Sequence, residues 1–195
     1  MLLRTVTRCS TFFAGFLAIH ASALAADPVS VLSLQAVIAN KGVGCDLIVP
    51  TSVLQFKPLK SSQLTGAIQT YQIQPLRVQL RCVDEQEAIK PTLTIEGETP
   101  YADDVEQAVY LNGTPNGVGF MVRQSLADTP ISLADFYQPA AAIGQGDKGT
   151  PLTELNKDNQ YTSEQILWVG LVGPFLPEVL PGYFQASLTL NVAFE

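Results

Sequence analysis

Cys45 and Cys82 carry the clearest chemical option in this 195-residue sequence: they can form a covalent cross-link. The third cysteine, Cys9, and the only histidine, His20, lie in an N-terminal stretch of different composition. Beyond that stretch there is no imidazole. The usual general base, the commonest metal ligand and every Ser–His or Cys–His nucleophile pair are therefore missing. Asp103, Asp104 and Glu106 cluster near Pro100. A calcium site or an acid pair competes there with a solvated loop, and the loop is the expectation. No acid falls on the inward face of the strands argued below, which counts against the paired carboxylates of a glycosidase. Gly117 and Gly119 lack the full fingerprint and the following helix of a dinucleotide-binding turn. In Asn112-Gly113-Thr114 the threonine comes one place too early for glycosylation. The sequence leads us to expect no cofactor, no metal and no enzymatic activity.

The N-terminal stretch reads as a secretory signal. Arg4 and Arg8 precede an apolar run from Phe12 to Ile19, and Ala23-Leu24-Ala25 supplies a small-x-small cleavage pattern. Cleavage is expected after Ala25, with Ala26 as the alternative. No later apolar run reaches the roughly 18 residues of a membrane-spanning helix. Removing residues 1–25 from 195 leaves 170, which suits one domain. It also removes two of the eleven basic residues and none of the eighteen acidic ones, for a net charge of −9. Such a chain repels nucleic acid and anionic membranes. In an oxidising compartment Cys45 and Cys82 read by default as a disulfide, worth roughly 3–4 kcal/mol for a loop of this length. The alternative is a two-cysteine metal site, which has no histidine to complete it.

The elements that position these residues read as β almost throughout. Leu76, Val78, Leu80 and Cys82 alternate with Arg77, Gln79 and Arg81, giving a half-buried strand with a cysteine on its core face. Leu93 and Ile95 alternate with Thr92 and Thr94 in a strand over 91–95. A short strand is expected over 109–111 before the Asn112-Gly113 turn. Another is expected over 117–122, with Val118, Phe120 and Val122 opposite Gly119 and Met121. The run from Ile166 to Val172, including Trp168, reads as a central strand buried on both sides. In the last strand Phe184, Ala186, Leu188, Leu190, Val192 and Phe194 share one face. Residues 140–159 read as a long loop, and Ser132 to Tyr137 as one helical turn capped by Ser132. Tyr71 and Tyr101 read as surface aromatics. About seven short strands with one disulfide suggest an immunoglobulin-like sandwich.

Four features resemble the pilin subunits of chaperone–usher fimbriae of the type 1-like group. They are the Cys45/Cys82 pair, Asn116-Gly117-Val118-Gly119-Phe120, Leu167-Trp168-Val169-Gly170-Leu171, and the C-terminus. At the C-terminus Gly182 is fourteenth from the end and Phe194 penultimate, with apolar alternation between them. The penultimate residue is Phe where the family commonly has Tyr.

The resemblance implies an all-β, incomplete immunoglobulin-like sandwich lacking its final strand, with an open groove beside the last strand. It implies a signal peptide over 1–25, a donor extension over 26–36 and a pilin domain over 37–195. The acceptor edge would be Gly182, Phe184, Leu188, Leu190, Val192, Phe194 and the terminal Glu195. The donor would present Val29 and Val31, or in the other register Leu32, Leu34, Ala36 and Ile38; the first set is the expectation, and a slip of one residue inverts the choice. The implied partners are a periplasmic pilus chaperone, an outer-membrane usher and neighbouring pilin subunits, with export through the periplasm to the cell-surface fimbrium. The alternative is a minor tip or adaptor subunit that binds a host-surface receptor directly.

Overall fold

The computed structural model describes residues 30–38, 44–83, 86–125, 129–146 and 149–194. The proposed signal and cleavage residues Ala25 and Ala26, together with Val29 and Glu195, lie outside this set. Among the described residues there are nine strands: β1 (Ser30–Ile38), β2 (Cys45–Ile48), β3 (Val53–Phe56), β4 (Gln69–Cys82), β5 (Pro91–Glu96), β6 (Gly119–Gln124), β7 (Thr150–Pro151), β8 (Thr162–Gly173) and β9 (Gln185–Phe194). One sheet has the order β3-β1-β9-β5-β7 and the other β2-β4-β8-β6. The two face each other across a single core, which the Phe56 and Phe120 rings bridge at a centroid distance of 5.1 Å. Between Ile48 and Val53 the chain leaves one sheet and enters the other.

The period-2 pattern selects the buried faces. In β4 the side chains of Leu76, Val78, Leu80 and Cys82 are buried, while Arg77 and Arg81 are exposed. Cys45 stands directly opposite Cys82 in the β2–β4 ladder, and the two form a disulfide with Cα atoms 3.9 Å apart. β8 lies between β4 and β6 as an interior strand, as its continuous apolar run predicts. One helical turn, α1 (Leu133–Phe136), lies against β4 and reaches over β8 at Gly170. The Ser132 Oγ accepts from the Asp135 N–H at 3.2 Å, the expected cap. Phe136 packs over Gly170, where any Cβ would run into its ring. Arg123 stacks over the same ring and donates to the carbonyls of Asp135 and Phe136 at 2.7 and 2.9 Å.

Several local expectations are corrected. Residues 109–111 form no strand, only an isolated Tyr110–Phe120 bridge. Gly119 and Met121, which alternate against Val118, Phe120 and Val122, are buried as well, so β6 is covered on both sides. Trp168 is half-buried on the outer face of β8 and donates its indole N–H to Ser125 Oγ at 3.1 Å. Tyr101 is buried; its hydroxyl donates to the Val118 carbonyl at 2.6 Å and accepts the Gly117 N–H at 3.0 Å. The long loop over 140–159 carries the two-residue β7, paired to β5.

Candidate functional site

β9 presents the face that the alternation predicts. Phe184, Ala186, Leu188, Leu190 and Val192 are buried and Phe194 is half-buried against the core. One edge of β9 pairs with β5, antiparallel from Pro91↔Phe194 to Glu96↔Thr189. Its other edge faces a slot whose far wall is β3, where Leu54 and Phe56 point inward. A sandwich with that slot empty would expose unpaired backbone beside open core, a template for association.

In this molecule the slot is filled by the chain's own N-terminal strand. β1 runs parallel to β9 from Val31↔Gln185 to Ile38↔Val192. It runs antiparallel to β3 from Ser30↔Phe56 to Ser33↔Val53. The Val31 N–H donates to the Phe184 carbonyl at 2.9 Å, and the Leu34 N–H to the Ser52 carbonyl at 2.8 Å. Past Leu34 the β1 ladder is one-sided, with β9 alone as strand partner. The sequence favours Val29 and Val31 as the inward set. β1 turns the opposite register inward: Leu32 and Leu34 are buried, with Ile38 packed behind them, and Val31 is half-buried on the other face. Greater apolar volume decides this, since burying each leucine is worth about 1.5–3 kcal/mol.

The strands of the slot carry no charge of their own. β1, β3 and β9 contain no charged residue, so what they can recognise is backbone pairing and apolar shape. The one ion pair among the described residues lies on the other sheet, between Arg77 and Glu164. There the Arg77 hydrogen bond, helped by Gln79, holds the Glu164 carboxyl below its ordinary range. At the end where β1 and β9 begin, a small cavity of about 120 Å³ opens among Ser30, Leu59, Leu64, Leu180, Gly182 and Phe184. Leu180 and Tyr183 beside it are exposed. Gly182 is itself exposed, and a Cβ there would meet nothing within 4 Å. Close packing therefore does not account for the glycine. Sequence reasoning missed β3 as the second wall, although the alternation of Leu54 and Phe56 with Val53 and Gln55 carries the signal in four residues.

No family model and no curated protein matches the chain. Solved structures do. The P pilus rod subunit PapA covers 78% of this chain with 99% of its own, at a TM-score of 0.52 and 14% identity. The CupB6 tip adhesin from Pseudomonas aeruginosa aligns over 85% of this chain at a TM-score of 0.43 and 15% identity, and this chain spans 43% of that adhesin's length. At these identities the first likeness is one of fold: the chain has the all-β, immunoglobulin-like sandwich of a pilin.

Proposed function

We propose that this chain is a non-enzymatic subunit of a chaperone–usher pilus, exported to the cell surface and polymerised by strand exchange in the slot beside β9. One observation carries the reading. The strand that completes the sheet comes from the N-terminal end of the chain, is held by backbone pairing and by its buried Leu32 and Leu34, and runs parallel to β9. Parallel ladders are slightly weaker per residue than antiparallel ones. A strand from another molecule, entering antiparallel, would replace β1 with better pairing, and the displaced β1 would then be free to enter the next subunit. In this reading β1 is the donor, with Leu32 and Leu34 as its inward residues. Phe184, Leu188, Leu190, Val192 and Phe194 form the acceptor edge. A periplasmic chaperone and an outer-membrane usher are the partners that would hold and hand over the open slot.

The test removes and returns the strand. A chain lacking residues 30–38 should accumulate as aggregate in the periplasm. It should be recovered as folded monomer when refolded with a synthetic peptide of the β1 sequence, Ser30 to Ile38. Co-expressed with its cognate chaperone and usher, the intact chain should form ladders of oligomers, whereas a chain with Ser33→Cys and Ser187→Cys, opposed in the β1–β9 register, should stay monomeric once cross-linked. A truncated chain that folds alone with unchanged stability and ignores the peptide would refute the reading.

A further inference from the structure

A second cavity, of about 520 Å³, lies at the end of the sandwich where β1 and β9 begin, outside the strand slot. Its size falls within the range of small-molecule sites. Its walls are aromatic. Phe175 lies between two tyrosines, with its ring centroid 4.8 Å from Tyr101 and 6.0 Å from Tyr137. The Tyr101 hydroxyl is tied to Gly117 and Val118, and the Phe175 N–H donates to the Gly117 carbonyl at 2.8 Å, so the rings are held from behind. The rim is acidic. Asp103, Asp104 and Glu106 line the cavity, and among the described residues no lysine, arginine or histidine does. The turn that carries them is fixed: Asp104 accepts the Val109 N–H at 2.7 Å through its side chain and the Gln107 N–H at 3.0 Å through its carbonyl. Asp103 and Glu106 are exposed, with no side-chain hydrogen bond or ion pair recorded among the described residues. The Asp104 charge also reaches the Tyr137 hydroxyl, which burial first and Asp104 second hold above the ordinary tyrosine range.

We propose that this cavity binds an alkylammonium group, as carried by a free aliphatic amine or by a lysine side chain. The apolar stem lies against Phe175 and the tyrosine rings, and the cationic head faces their π clouds and the carboxylates of Asp103 and Glu106. Aromatic faces attract cations most strongly where water is partly excluded, and an uncompensated acidic rim rejects anions of the same shape. Nothing in the proposal depends on strand exchange, because none of these residues belongs to β1, β3 or β9.

The test compares three ligands of equal length on the intact exported chain: hexylammonium, hexanol and hexanoate, titrated by two-dimensional amide NMR. Hexylammonium should bind about tenfold more tightly than hexanol, hexanoate should be weaker still, and the shifts should centre on residues 101–106, 137 and 175. The double variant Asp103→Asn, Glu106→Gln, which leaves the Asp104 hydrogen bond in place, should bring hexylammonium down toward hexanol without changing hexanol itself. A parallel titration with Nα-acetyl-lysine N-methylamide distinguishes the two sources. Tighter binding of this compound than of hexylammonium assigns the site to lysyl groups, and the reverse assigns it to free amines. Equal binding of all three hexyl compounds, shifts elsewhere on the surface, or no saturable shift with either cation would overturn the proposal.

Discussion

Gly170 shows how a single missing side chain positions a layer. Its backbone lies under the Phe136 ring, so α1 can seat against β8 only because no Cβ intervenes. Gly119 plays the same part beneath Val109 and the Tyr110 carbonyl. Overpacking of this kind typically costs 1–3 kcal/mol. Gly170→Ala should therefore lower the unfolding free energy by about 1–3 kcal/mol in a denaturant titration. Near-ultraviolet circular dichroism should report the loosened Phe136 and Trp168 environment. The two glycine-containing motifs of the sequence thus have a packing explanation independent of any partner.

At the scale of elements, β1 decides the reading, and its register can be measured. Leu32→Ala and Leu34→Ala remove buried side chains and should each cost about 2–5 kcal/mol, in the range for large-to-small changes in a core. Val31→Ala, on the half-buried opposite face, should cost clearly less, and the contrast in unfolding midpoints checks the register. A larger loss at Val31 would reverse it. The long elements were legible in the residues. β4, β5, β8 and β9 carry alternation or continuous apolar runs over many positions, so the period outweighs local noise, and Ser132 announces its helical turn by capping chemistry. Less was legible where a decision depended on partners far away in the chain. The β1 sequence offers apolar residues in both registers, and only the depth of the slot between β9 and β3 selects Leu32 and Leu34. Residues 109–111 have strand-like composition, yet they lie where only a single bridge to Phe120 is available. Tyr101 looked like a surface aromatic because nothing local reveals the Gly117 and Val118 groups that receive its hydroxyl.

Across the whole molecule, the disulfide fixes the point from which the N-terminal strand departs. It ties the start of β2 to the end of β4 in the sheet that β1 does not join. Replacing both cysteines, Cys45→Ser with Cys82→Ser, should lower stability by about 2–5 kcal/mol. Thermal unfolding with and without reductant should show the same difference in the parent chain and none in the variant. The fold is shared with a pilus rod subunit at an identity low enough that the architecture persists through its alternation pattern and core shape rather than through particular residues.

Six residues separate Ile38 from Cys45. So short a leash keeps the plug at its own socket at an effective concentration in the millimolar range, whatever the dilution of the protein outside. Abundance alone would not let a newcomer dislodge it. An intruder must offer a better-matched ladder or be delivered by machinery that pries the resident strand away. The molecule would then remain sealed in transit, and the timing of its opening would belong to whatever meets it.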